Sequence, residues 1–182
     1  MTAKKLQARF KKIKLLLLDV DGVLTDGRII YDSGGRDAKF FDVHDGLGVT
    51  LLGRLGVKTI LITAKGSGCI DPRAKDMHVE AVYKMDQMSE TGMCPKSQAY
   101  RAIKKNFEAG DEEICFVGDD LVDLCVMRQC GLPVAVSNAV AEVKKAAVYV
   151  TAKPGGRGAV REVAELILKS KGLWEKAVEL YT

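Results

Sequence analysis

Two aspartates one residue apart, Asp19 and Asp21, stand directly after the apolar run Leu15–Leu18. Further along come Thr63 within "LITAK", Lys96 just after Pro95, and the acidic run Asp119-Asp120 with Asp123 one turn later. Carboxylates at Asp19, Asp21, Asp119, Asp120 and Asp123 converging on one edge would repel one another strongly without a cation. Oxygen donors with no His or Cys among them call for a hard ion, and Mg²⁺ commonly keeps waters and a substrate phosphate as its other ligands. A site of that kind suits phosphoryl transfer, because the cation offsets phosphate charge and lets an anionic carboxylate approach phosphorus. Asp19 is then the nucleophile, forming an aspartyl phosphate. Asp21 protonates the leaving alkoxide and later activates water. Thr63 and Lys96 hold the phosphoryl oxygens, the lysine as a compact charge.

These residues need elements to place them. Short β-rich runs at 14–19, 58–63, 81–83, 113–118, 132–136 and 148–151 alternate with helical patterns near 46–55, 70–77, 96–107, 120–129, 139–146 and 158–170. Leu47, Leu51, Leu52 and Leu55 recur at helical spacing, as do Val160, Val163, Ala164 and Ile167. Pro95 suits the first turn of a helix. The alternation predicts an α/β fold, a parallel sheet with helices on both faces. In such sheets ligands bind beyond the carboxyl ends of the strands, where Asp19, Thr63 and Asp119 fall. With a period of two, Asp19 and Asp21 point to the same side. One segment breaks the alternation: 28–43, "RIIYDSGGRDAKFFDV", reads as a hairpin around Asp32-Ser33-Gly34-Gly35 and should project over the two aspartates.

Length and composition bound the rest. At 182 residues the chain is expected to form one domain, 1–182, with a full core. Its 47% apolar and 29% charged residues are ordinary for a soluble protein, and no apolar run is long enough for a membrane span. Met1 to Lys14 carries lysines but no apolar segment, so no secretory signal is expected. Cys69, Cys94, Cys115, Cys125 and Cys130 are odd in number and form no CxxC pair, which predicts reduced thiols in a cytoplasmic protein. The net charge of +4 sits largely in "KKLQARFKKIK", read as a solvated terminal segment and not as a nucleic-acid surface. A mildly basic chain also suits an anionic small substrate.

Taken in order, "DVDGVLTDG", "LITAK", Lys96 and "GDDLVD" resemble the four motifs of the haloacid dehalogenase superfamily of phosphohydrolases. From about Lys14 to Trp174 the chain is similar to the 3-deoxy-D-manno-octulosonate 8-phosphate phosphatase family, through "DGRIIYDSGGRDAKFFDVHDGLG", "VGDDLVDL", "GLPVAVSNA" and "GGRGAVREV". The resemblance implies a Rossmann-like, capless, Mg²⁺-dependent phosphatase of lipopolysaccharide biosynthesis. It also implies a homotetramer in which the hairpin and neighbouring subunits cover the site. The spacings from Asp19 to Thr63 and from Thr63 to Lys96 agree, leaving no room for a cap domain. By position it implies metal ligation by Asp19, Asp119 and the backbone carbonyl of Asp21, with Asp120 and Asp123 in support. It implies substrate contacts from Asp42, His44, Asp45 and Gly46, and from Lys65, Arg73 and Lys96. Gly155, Gly156 and Gly158 would form a turn before the last helix, with Arg157 or Arg161 either near a site or in surface salt bridges.

The departures lie where a sugar acid would be read. Thr63-Ala64-Lys65 stands for the family's Thr-Gly-Arg, and Lys lacks the planar fork that grips a carboxylate bidentately. His44 and Thr50 stand where arginines are common, and "KMDQMSETGMCP" is longer than the usual link into Lys96. His44 is either a substrate contact or a residue of the hairpin base; His78 reads as a turn residue. Three functions follow for testing. One is hydrolysis of the octulosonate 8-phosphate or, by the same chemistry, a nine-carbon sugar-acid 9-phosphate. Another is a non-catalytic tetramerising module, and the third is phosphoryl transfer between sugars, which needs a closing cap.

Overall fold

The computed structural model describes residues 2–64, 66–85 and 94–182. In chain order it contains α1 (Ala3–Lys12), β1 (Leu15–Leu18), β2 (Ile30–Tyr31), β3 (Asp37–Ala38), α2 (Val43–Arg54), β4 (Lys58–Thr63), α3 (Ile70–Asp76) and β5 (Ala81–Lys84). There follow α4 (Pro95–Asn106), β6 (Ile114–Gly118), α5 (Leu124–Met127), β7 (Leu132–Ala135), α6 (Ala141–Ala146), β8 (Tyr149–Val150), α7 (Ala159–Ser170) and α8 (Trp174–Glu179). Among the described residues the main sheet has the order β5-β4-β1-β6-β7-β8, with every pair parallel. Helices α1 and α2 pack on α7, with α8 added to α7, while α4, α5 and α6 form a second group. This is the Rossmann-like arrangement expected from the strand–helix alternation.

The four leucines of β1 are all buried, because β4 pairs along one side, β6 along the other, and helices cover both faces. Leu18 sits level with Leu61 and Val117. The chain runs outward from β1 in both directions, so β1 is the switch point of the sheet, where a crevice opens at the carboxyl ends. Asp19 follows β1 there, Thr63 ends β4, and Asp119 follows β6. Between β1 and β4 the described residues hold only the hairpin and α2, with no cap domain. The hairpin pairs Ile30 with Ala38 and Tyr31 with Asp37 around the expected Asp32–Gly35 turn.

Three elements differ from expectation. The basic terminal run is a helix, α1, capped by Thr2 and burying Phe10 edge-on against Tyr149 at 5.8 Å. Its lysines hide the signal by making the segment read as solvated. The helix expected over 120–129 splits into a 3₁₀ turn, Leu121–Asp123, and α5, because the Asp123 carboxylate folds back onto the backbone N–H groups of Asp119 and Asp120. The short α8 was not anticipated; Trp174 anchors it between Arg161 and Lys169, whose charges lie 5.5 and 4.9 Å from its ring.

The thiol expectation also needs correction. Cys94 and Cys125 form a disulfide, while Cys69, Cys115 and Cys130 are free. Sequence spacing hides this pairing, since 31 residues separate the two. The ion pair between Lys96 and Asp123 draws their segments together.

Leu17 is 0% exposed at the centre of the sheet. Leu17→Ala should cost about 3 kcal/mol, measured as a lowered urea midpoint at unchanged slope.

Candidate active site

The site begins with Lys96. Pro95 starts α4 and aims the next side chain into the sheet edge, where Lys96 is 2% exposed. Its Nζ lies 2.8 Å from Asp19 Oδ1 and 2.6 Å from Asp123 Oδ1. Burial alone would lower the lysine's pKa, but the two carboxylates reverse that and raise it, so the ammonium is held charged. Asp123 is fully buried, and its other oxygen accepts from Asp119 N at 2.8 Å and Asp120 N at 3.2 Å. Asp123 therefore fixes both the lysine and the loop carrying Asp119. Asp120 is exposed and caps the 3₁₀ turn through Leu121 N at 2.7 Å. It supports the loop from outside.

Asp19 is 5% exposed, and its pKa is pushed up to about 6 by burial, with Lys96 opposing and Asp123 adding to the rise. Asp119 is pushed up to about 8, first by burial and then by Asp19, Asp123 and Asp120. Its Oδ1 is buried without a hydrogen-bond partner. One carboxylate oxygen from each of Asp19, Asp119 and Asp123 lies within 4.8 Å of the others. Both Asp123 oxygens are already engaged, so Asp19 and Asp119 are the two free to hold a cation. An orphaned oxygen amid like charges, with only oxygen donors nearby, fits Mg²⁺.

Glycines let the loops close on this group. Gly22, at φ +94°, lies where a Cβ would stand 2.0 Å from Asp119 Oδ2. At Gly155 a Cβ would stand 1.8 Å from the Gly22 carbonyl oxygen, so the 155–158 turn seals against the loop after β1. Two residues overlooked in the sequence complete the seal. Thr25 Oγ1 accepts from Gly22 N and Gly27 N, both at 3.2 Å. Asn138 Nδ2 donates to Gly22 O at 3.3 Å, while its Oδ1 accepts from Gly155 N at 2.7 Å.

Asp21 does not join the acidic cluster with its side chain. Its Oδ1 accepts from Lys39 Nζ, on the return arm of the hairpin, a contact the sequence reading missed. The available signal was period-two alternation, which puts Asp37, Lys39 and Phe41 on one face. Thr63 is 1% exposed at the end of β4, beside this crevice.

The expected substrate-contact residues separate. Asp42 caps α2, its carboxylate accepting from His44 N at 2.6 Å and Asp45 N at 3.3 Å. Its carbonyl accepts from Arg73 at 2.8 Å, and a Cβ at Gly46 would meet that guanidinium at 2.3 Å. Asp42, Gly46 and Arg73 thus stay together. The side chain of His44 is 73% exposed, with Nδ1 3.4 Å from Asp42. Asp45 turns inward, fully buried, accepting from Gly158 N at 3.2 Å and Arg161 N at 2.7 Å; it clasps α2 to α7 and faces no ligand space. Thr50 bonds Gly46 O at 3.0 Å within its own helix. Arg161 pairs with Glu165 at 2.9 Å, while Arg157 is exposed on the turn. Lys65 and most of the insertion before Lys96 lie outside the described residues.

Comparison with known proteins agrees with this geometry. Residues 90–162 match the haloacid dehalogenase-like hydrolase model. The chain is 37% identical over 172 residues to the 3-deoxy-D-manno-octulosonate 8-phosphate phosphatase of Yersinia pestis, covering 94% of this chain and 88% of that protein. The chain belongs to the 3-deoxy-D-manno-octulosonate 8-phosphate phosphatase family. The family's enzyme from Moraxella catarrhalis, in a crystal structure with magnesium ion, phosphate ion and the sugar acid, matches at 34% identity and TM-score 0.91, covering 100% of both chains. A cobalt-bound form from Haemophilus influenzae matches at 32% identity and TM-score 0.84, covering 96% of each.

Because Asp19 and Asp119 have folded pKa values above the ordinary 3.8, their contribution to stability is present below that value. It is lost as pH rises through about 6 and about 8. Metal-free protein should therefore weaken across that window, and Mg²⁺, which takes only ionised carboxylates, should stabilise it more as pH rises. At about a hundredfold over Kd the gain should reach about 3 kcal/mol at the upper end. Melting curves with Mg²⁺ or a chelator check this, and Asp119→Asn should abolish the magnesium shift.

Proposed function

We propose that the chain is a magnesium-dependent phosphomonoesterase that hydrolyses 3-deoxy-D-manno-octulosonate 8-phosphate to the free sugar acid and phosphate. The observation that carries this reading is the buried Asp19–Lys96–Asp123 triad beside an orphaned Asp119 oxygen, in a chain of that family. Asp19 attacks phosphorus, and the bond to the sugar oxygen breaks as Asp21 gives that oxygen a proton. Water then attacks the aspartyl phosphate with Asp21 as base, returning Asp19 free. Lys96 offsets charge on the phosphoryl oxygens without reorganising, since its position is already fixed. Thr63 stands at the end of β4 for the same oxygens. Mg²⁺, held by Asp19 and Asp119, would add Lewis-acid charge stabilisation.

The nine-carbon 9-phosphate reading is less favoured, since the matching relatives named above carry the octulosonate name. A purely tetramerising module would have no use for a buried lysine between two carboxylates. Transfer to a second sugar lacks a cap among the described residues. For cellular setting, we read the enzyme as cytoplasmic, where Cys69, Cys115 and Cys130 remain thiols and the local redox poise governs the Cys94–Cys125 bridge.

We also propose that the protein is a homotetramer built through the hairpin. Tyr31, Phe40 and Val43 are 57%, 73% and 75% exposed, an apolar patch that a neighbouring subunit would cover. Phe40→Glu should shift the assembly toward smaller species in sedimentation velocity.

Asp19→Asn should remove turnover without loss of fold. Asp21→Asn should lower kcat by about 10²–10⁴-fold on the octulosonate ester. The assay is magnesium-dependent phosphate release. A kcat/KM no better than for a generic aryl phosphate would rule out the sugar-acid assignment.

A further inference from the structure

The hairpin is the most open part of the fold, yet one of its side chains is wholly covered. Lys39 has 0% side-chain exposure, while its neighbour Phe40 is 73% exposed. A buried ammonium needs partners to offset its lost hydration. Lys39 finds them at the site itself: Nζ donates to Asp21 Oδ1 and lies 3.8 Å from Asp37 Oδ2. Asp37 in turn accepts from Ser67 Oγ at 3.0 Å, on the loop after β4. Three residues on from Lys39, the Asp42 carbonyl accepts from Arg73 of α3. The return arm is thereby fastened to the loop after β1 at Asp21, the loop after β4 at Ser67 and α3 at Arg73.

We propose that Lys39 is a positioning residue for proton transfer at Asp21, an inference that rests on the phosphatase reading above. An ammonium has three donors and no acceptor. By occupying Oδ1 it leaves Oδ2 as the oxygen that carries the proton and meets the leaving group. In the first half-reaction the Asp19–phosphorus bond forms, the bond from phosphorus to the sugar oxygen breaks, and the Oδ2 proton passes to that oxygen. In the second, Oδ2 takes a proton from the attacking water as the bond from phosphorus to Asp19 breaks. Asp37, tied to Ser67, keeps the lysine in place. This role gives the hairpin a chemical task inside its own subunit, separate from any cover it provides to a neighbour.

Leaving groups separate this role from simple docking. An alkyl phosphate such as the sugar-acid ester leaves as an alkoxide and needs the proton, whereas p-nitrophenyl phosphate leaves without one. Lys39→Met should lower kcat/KM on the sugar-acid ester by about 10–10²-fold and alter it much less on p-nitrophenyl phosphate. The reason is that kcat/KM reports the steps through leaving-group release, whereas hydrolysis of the aspartyl phosphate is common to both esters. Lys39→Arg should restore most of the lost rate. Combined with Asp21→Asn, Lys39→Met should add no further loss, since both act through one carboxylate. Melting curves of each variant verify the fold, and Lys39→Gln, which keeps a donor but no charge, carries the same test if Lys39→Met does not fold. Equal losses of kcat/KM on both esters, additive losses in the double variant, or no loss would each overturn the proposal. A wild-type protein releasing no phosphate from either ester in Mg²⁺ would instead overturn the phosphatase reading, and this inference with it.

Discussion

The site depends on one buried lysine held between two carboxylates. Lys96 contacts Asp19 and Asp123 inside the fold, where leaving any one of the three unpaired would cost about 3–5 kcal/mol. That cost makes the arrangement all-or-none. The start of α4, the end of β1 and the turn after β6 must arrive together, and once there they cannot drift. Asp123 extends the constraint by binding two backbone N–H groups of the loop that presents Asp119. Asp19, the Lys96 ammonium and the loop carrying Asp119 are thus positioned by one ionic cluster.

The same contact leaves charge unbalanced. Lys96 compensates Asp19 and Asp123, but Asp119 keeps a buried oxygen without a partner. A stable fold does not ordinarily retain such a group. Its retention next to Gly22, where no side chain fits, is the physical mark of a place reserved for a divalent ion and a phosphate. Stability is given up in the metal-free protein, and ligand binding returns it.

Around this centre the loops are closed by backbone contacts as much as by side chains. Thr25 and Asn138 knit the loop after β1 to the 155–158 turn, and Asp45 clasps α2 to the start of α7. The hairpin arm completes the enclosure through Asp37, Lys39 and the Asp42 carbonyl. Two of the three positions that depart from the family's arginines are now placed: His44 reaches solvent, and the Thr50 hydroxyl bonds backbone carbonyls at Gly46 and Met77. Neither occupies the space between Asp19 and Asp119.

Local pattern in the sequence was enough for the parallel sheet, the hairpin and the placing of Asp19, Thr63 and Asp119 at the carboxyl ends of strands. Strand ends, turn residues and charge type are written within a few residues of one another, and motif order along the chain supplied the rest. The pattern failed where a residue's partner lies far away in sequence. The family resemblance implied a substrate contact at Asp45 by position, but its partners are backbone N–H groups more than a hundred residues on. Lys39 carried no local signal of its partner, and only folding brought Asp21 to it. Cys94 and Cys125 looked like separate thiols until Lys96 and Asp123 drew their segments together. Which groups could do chemistry is a property of residue type, carried by the sequence itself. Which of them meet, and which are consumed in holding the chain together, only long-range packing decided, because burial and pairing are properties of the assembled interior.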